Sequence, residues 1–216
     1  QINPKELELF NRIGVLCNNA ELEKEDDQWE ILGDPTEGSL IVLGRKAGFS
    51  KGDFKDDFKF IKELPFDSER KRMSVIYNNK KNKKTEAYVK GAPDILIDRW
   101  DKIIEDGRVR KITEEEKEKI KDLNQKFGEE ALRVLGLAYR ELPSKDNYDI
   151  DNVEENLIFV GLAGMIDPPR EEVFDAVKKC QRAGIKTIVI TGDSPVTAKA
   201  IAEKIGLFKD GDVVLT

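Results

Sequence analysis

Met73-Ser74-Val75-Ile76-Tyr77, the lysine-rich stretch from Asn78 to Lys84, and, after Thr85, Glu86-Ala87-Tyr88-Val89 follow one another. Two short runs rich in β-branched and aromatic residues flank a polar tip, which is the signature of paired antiparallel strands. Phe60 to Pro65, just upstream, has the same character, and Leu132 to Tyr139 and Leu157 to Met165 are long apolar runs expected as central strands. Helical spacing surrounds them. Asn3-Pro4 opens a helix with proline at its first position, and Leu9, Ile13, Leu16, Cys17 and Ala20 recur on one side of it. Asp34-Pro35-Thr36-Glu37 opens a second helix carrying Leu40, Leu43 and Ala47. Between these helices, Glu21 to Glu30 reads as a polar loop. Pro93 to Trp100 reads as a short helix, and Thr113 with Glu116 three residues on opens another with a capping box. Helices around an antiparallel sheet make an α+β domain.

The pattern changes after Pro168-Pro169. Glu171 to Ala183 is helical, Lys186 to Ile190 reads as a buried strand, Pro195 to Ile205 is helical, and Val213 to Leu215 begins a strand. Helix and strand in alternation is the rhythm of a doubly wound parallel sheet. One or two parallel strands cannot bury a sheet on both faces, so the expected divisions are a first domain at 1–166, a Pro-Pro boundary at 167–170 and an incomplete α/β segment at 171–216.

Composition narrows the function. The 216 residues include no histidine, which removes imidazole-based zinc sites and Ser-His or Cys-His catalysis from this chain. Net charge is −6, against the basic excess that phosphate neutralisation demands of a nucleic-acid binder. Charged residues make up 37%, above the ~25% of average soluble proteins, in mixed-sign clusters that read as solvated surface. Cys17 and Cys180 are far apart and suit a reducing compartment, with Cys17 expected as a small core residue. No apolar run approaches the ~20 residues that cross a bilayer, and no signal peptide opens the chain, so a soluble, intracellular chain is expected, and a monomer is the expected state.

In Ile188-Val189-Ile190-Thr191-Gly192-Asp193-Ser194-Pro195 an apolar run ends in Thr-Gly-Asp and a helix follows. In open α/β sheets ligands bind beyond the carboxyl ends of strands, and a helix N-terminus offers N–H groups to phosphate. Thr191 is then a donor to a phosphoryl oxygen, Gly192 admits close backbone approach, and Asp193 lies near a metal–phosphate group. An ordinary strand-to-helix turn with Ser194 as cap fits the same residues.

Four further segments, in order, set the context: Asp34-Pro35-Thr36-Glu37, Pro65-Phe66-Asp67-Ser68-Glu69-Arg70-Lys71-Arg72-Met73, Lys90-Gly91-Ala92-Pro93 and Asp167-Pro168-Pro169-Arg170. With Thr191-Gly192-Asp193 they resemble the nucleotide-binding domain, hinge and part of the haloacid-dehalogenase-like, Rossmann-type phosphorylation domain of P-type ATPases, in the calcium-pump-like type II branch. The resemblance implies an ATP-binding portion of an ion-translocating ATPase. Phe66 would stack on adenine, and Lys71 and Lys90 would form the cationic rim. Gly91 and Ala92 would leave room for the purine, and Glu37 would face the adenine amino group. Arg133 would reach the phosphates, and Leu135 would line the pocket. Asp167, Pro168, Pro169 and Arg170 would be the hinge. Bland alternatives stand beside these roles: Phe66 as a core residue at a strand end, Lys90 as a solvated turn lysine, Asp67 to Arg72 as a polar connection, and Glu37 as the second half of a capping box with Asp34. An arginine in an apolar strand, as at Arg133, calls for a partner or ligand.

The family's phosphorylated aspartate motif, Asp-Lys-Thr-Gly-Thr, does not occur in this sequence. The resemblance therefore implies a piece of a longer integral membrane pump at the cell membrane, lying on its cytoplasmic side beside transmembrane and actuator domains. It would bind ATP, with Mg²⁺ in the whole enzyme, without hydrolysing it alone. Calcium is the first ion it points to; magnesium, sodium, potassium and protons stay open. Two other readings also remain. A haloacid-dehalogenase-like phosphatase would need an Asp-x-Asp nucleophile, and Asp149-Ile150-Asp151 falls in a polar loop. A non-catalytic protein-interaction domain would show no dependence on Phe66.

Overall fold

The computed structural model describes residues 3–26, 28–143, 147–166, 169–192, 195–209 and 211–215. Two compact units are present: Gln1–Lys119 with Leu135–Ala163, and Ile120–Val134 with Gly164–Thr216.

The first unit is built on a mostly antiparallel sheet. β3 (Phe58–Asp67), β4 (Arg72–Asn79), β5 (Lys84–Gly91), β6 (Trp100–Glu105), β7 (Arg108–Lys111), β8 (Arg133–Leu142) and β9 (Leu157–Met165) lie in the order β3-β4-β5-β8-β9-β6-β7. The paired runs read from the sequence are β4 and β5, joined in antiparallel register with Met73 opposite Lys90 and Val75 opposite Tyr88. The two long apolar runs are β8 and β9 at the sheet centre, where both faces are covered. Only β6 and β9 run parallel among the registers described.

Strand alternation sorts side chains between two faces. On one lie α1 (Pro4–Leu16), α2 (Pro35–Lys46) and the short α3 (Lys51–Phe54), enclosing Ile13, Cys17, Ala20, Phe58, Met73, Val75, Tyr88 and Leu137. On the other, α6 (Ile150–Val153) adds Val153 to Leu64, Ile76, Ala87, Leu142 and Tyr148. Burying one such aliphatic side chain contributes about 1.5–3 kcal/mol, so this double layer holds the sheet. The helix starts are as the sequence indicates. Asn3 caps α1 through Lys5 N–H, and Asp34 caps α2 through the N–H groups of Thr36 and Glu37. α4 (Pro93–Leu96) continues into a 3₁₀ turn, Ile97–Arg99. Thr113 and Glu116 exchange side-chain-to-backbone bonds at the start of α5 (Glu114–Glu129).

The polar segment Glu21 to Glu30 is not a loop. Glu21–Glu25 (β1) and Gln28–Leu32 (β2) pair as a separate hairpin. Its glutamates alternate onto the exposed face, while Leu22 packs on the core of the first unit and its cross-strand partner Ile31 lies against Gly38 of α2. Asp149 likewise is no loop residue: its side chain caps α6 by accepting from Asn152 N–H.

The second unit departs further from expectation. Helices α7 (Glu171–Arg182) and α8 (Pro195–Lys204) form where the sequence places them. Lys186–Ile190 and Val213–Leu215 do not form strands, and Ile190 is 93% exposed. A strand's backbone groups are satisfied only by a neighbouring strand, and none pairs with these segments among the described residues. The α/β sheet expected for 171–216 is thus not seen. Val177, Thr197 and Ala202 are the buried residues of its two helices.

Candidate functional site

The first unit gathers seven of the sequence-derived site residues around one end of its sheet. The C-terminal end of β5 is central. Lys90 lies opposite Met73 on β4 and Leu137 on β8, so its stem is flanked by apolar neighbours and only 5% of the residue is exposed. Its ammonium meets Glu37 Oε1 at 2.5 Å. The other Glu37 oxygen accepts the Asn19 N–H at 2.9 Å. Glu37 therefore reaches across to the sheet, and its carboxylate is engaged by Asn19 and Lys90 while Asp34 caps the helix. Lys90 is not a solvated turn lysine: a buried ammonium needs a partner, and Glu37 is that partner.

The chain after α1 completes this corner. Asn18 donates to the carbonyls of Gly14 (2.9 Å) and Glu37 (2.8 Å), joining α1 to α2. Asn19 donates to Glu63 Oε1 at 2.9 Å. Cys17 is fully buried, with its thiol directed at the Met73 carbonyl (3.6 Å). Burial pushes the thiol up to about 12, which suits the core residue expected from the sequence and leaves no reactive thiolate.

Phe66 is 62% exposed, so it is not a core residue. Its release has a local cause. The β3–β4 register breaks between Leu64 and Asp67, at Pro65, which has no N–H to give a ladder. The resulting bulge turns the chain outward. Asp67 Oδ1 then accepts the N–H groups of Glu69 and Arg70, and Asp67 O accepts that of Lys71. Lys71 is exposed, in the left-handed region at φ 50°, and its carbonyl accepts Ala92 N–H at 3.0 Å. Gly91 has its own reason to be glycine. A Cβ there would lie 2.6 Å from both Arg72 Cβ and Lys71 O, so close approach of the turn requires it, independently of any purine.

Leu135 is half-buried, one residue before Gly136, which pairs with Gly91. Arg133 belongs to the second unit and is exposed, so no desolvation penalty of its own demands a partner there. Thr191, Gly192 and Arg170 are exposed and Pro169 is half-buried. Asp167, Pro168, Asp193 and Ser194 lie outside the described residues.

Sequence reading missed Glu63 and Glu154. Glu154 is fully buried and accepts from Arg70, Arg72 and Ser74. The signal was available: Arg72 and Ser74 fall in phase with buried Ile76 on β4, and an inward-facing arginine needs an inward-facing acid. A separate cleft of about 250 Å³, bordered by Arg140, Leu142, Pro143 and Tyr148, has its arginine engaged by the carbonyls of Asn152 and Glu155. Among the described residues no group of three or more His, Cys, Asp or Glu side chains is placed to hold a metal ion, and no helix is long and apolar enough to cross a membrane.

A seven-stranded, mostly antiparallel sheet with helices on its faces and an ion pair sunk into one end defines the first unit as an α+β domain with a polar corner at that end. Residues 6–172 match the family described as P-type ATPase, cytoplasmic domain N, and the chain belongs to that family. It is 41% identical over 211 residues to the calcium-transporting ATPase of Bacillus subtilis (strain 168), covering 97% of this chain and 24% of that protein. It is 46% identical over 204 residues to calcium-transporting ATPase 1 of Lactococcus lactis subsp. lactis (strain IL1403), covering 94% and 22%. It is 36% identical over 218 residues to the sodium/potassium-transporting ATPase subunit alpha-1 of Oreochromis mossambicus, covering 94% and 21%. The chain thus spans less than a quarter of the length of these relatives.

Proposed function

We propose that this chain is the adenine-nucleotide-binding portion of an ion-translocating ATPase. The observation that carries the reading is the Lys90–Glu37 pair, withdrawn from water at the sheet end that also bears the exposed ring of Phe66. Phe66 stacks on the base, an interaction worth roughly 1–3 kcal/mol. Glu37 accepts from the exocyclic amino group. Lys90 holds the Glu37 side chain in place through their ion pair, and the exposed Lys71 adds positive charge to the rim; Ala92 and Gly91 keep it low, and Leu135 lines it. The family resemblance would also assign Arg133 to the phosphates.

In the whole protein this portion would deliver ATP for transfer of its terminal phosphoryl group to an aspartate and for ion movement. The relatives' names favour calcium. Transfer of this kind depends on positioning and charge neutralisation, and this chain supplies the positioning. In the whole enzyme Mg²⁺ would arrive with the triphosphate. Residues 1–166 would be the nucleotide-binding domain, 167–170 the hinge, and 171–216 a segment of the phosphorylation domain, with Thr191, Gly192 and Asp193 near phosphate. Transmembrane and actuator domains would be its partners, on the cytoplasmic side of the membrane.

A calorimetric titration with ATP tests the reading. Saturable binding is expected, with Phe66→Ala about tenfold weaker, within the range that base stacking supplies. Equal binding by Phe66→Ala, or none by the wild-type chain, contradicts it.

A further inference from the structure

Glu154 takes no part in the scheme above, yet its surroundings lead to Phe66. The side chain is 0% exposed, and an ion so placed is expensive to desolvate unless every lone pair is used. Oε1 accepts from Arg70 Nη1 at 2.5 Å and from Ser74 Oγ at 2.7 Å, and Oε2 accepts from Arg72 Nε at 2.5 Å. These donors come from β4 and from the turn leading into it. Arg70 is the link outward. Its second terminal nitrogen donates to the Pro65 carbonyl at 2.5 Å, and Arg72 Nη1 donates to the Arg70 carbonyl at 2.9 Å.

The planar guanidinium fork of Arg70 thus spans from a buried acid to the peptide that joins Pro65 to Phe66. That peptide lies in the register break, where no ladder bond is described to fix it. Glu154 approaches from the α6 face of the sheet, while Glu37 and Lys90 approach from the α1 and α2 face. The base platform is held from one side and its polar partners from the other.

We infer that Glu154 is a positioning residue for the base platform: through Arg70 it fixes the Pro65 carbonyl, and with it the direction in which the Phe66 ring leaves the sheet. The inference rests on the nucleotide reading. Pre-setting the ring lowers the ordering cost that binding must otherwise meet.

The test is ATP titration of the full chain carrying Arg70→Lys or Glu154→Gln, each alone and combined with Phe66→Ala. Arg70→Lys keeps a cation beside Glu154 and so protects folding, but loses the fork that spans to Pro65. Each single variant is expected to bind ATP about tenfold more weakly, and to add less than about twofold once Phe66 is gone, since coupled residues are not additive. In Arg70→Lys the NMR signals of the Phe66 ring shift while the amides of Ile13 and Leu137 keep their wild-type positions. Losses that multiply in full in the Phe66→Ala background, or shifts spread through the core, mean a general structural role and overturn the inference. Weakening by Phe66→Ala but not by Arg70→Lys overturns the inference and leaves the nucleotide reading standing. ATP binding indifferent to Phe66→Ala overturns both.

Discussion

The two units carry similar apolar runs and end differently. Met73-Ser74-Val75-Ile76-Tyr77 in the first and Lys186 to Ile190 in the second are both short and β-branched. In the first, Val75 and Ile76 are sealed inside a ladder between β3 and β5. In the second, Ile188 and Ile190 face water and no ladder forms among the described residues. Composition makes a segment capable of being a strand; only a neighbour with free N–H and C=O groups makes it one.

Core truncation exposes this contrast most strongly. Leu137→Ala, at a fully buried site, is expected to cost about 2–5 kcal/mol. Ile190→Ala, of the same kind in sequence, is expected to change stability by less than about 0.5 kcal/mol. Urea unfolding of both variants is the check, and a comparable loss at Ile190 would mean that the second unit has a core there.

A smaller effect concerns pH. Burial raises Cys17 from 9.0 to about 12, and raises Tyr77 and Tyr139 from 10.0 to about 12. The folded state then holds protons that the unfolded chain releases. Their contribution is complete below pH 9 and is lost as pH rises from 9 towards 12. Unfolding midpoints should fall across that window, and a thiol reagent at pH 8 should modify the half-buried Cys180 well before Cys17. Equal labelling rates would place Cys17 outside the core.

At the acid end the expected change is smaller again. Hydrogen bonds from Arg110, and then from the Thr113 backbone, lower Glu116 from 4.5 to about 2. That cap stabilises fully above pH 4.5 and fades as pH falls towards 2. Glu116→Gln should lower stability at neutral pH by what the wild-type cap loses towards pH 2, and so flatten this part of the acid slope; an unaltered slope would show the cap to be idle.

What the sequence made legible follows the same division. The strands β4, β5, β8 and β9 and the caps at Asn3, Asp34 and Thr113 were visible because period, turn residues and caps are local. The β1–β2 hairpin was hidden: alternating glutamates in water carry no apolar period. Phe66, Lys90 and Glu37 could be singled out by resemblance, but not the pairing of Lys90 with Glu37, which joins residues 53 apart. Glu154 is 80 or more residues from each of Arg70, Arg72 and Ser74, a distance no motif spans.

The central claim, that the β5 end of the first unit receives a nucleotide, is tested most directly by residue-resolved NMR during an ATP titration. Saturable shifts are expected at Asn19, Glu37, Phe66, Lys71, Lys90 and Gly91, with Ile190 unmoved. Shifts confined to Thr191 and Gly192, or none that saturate, would contradict it.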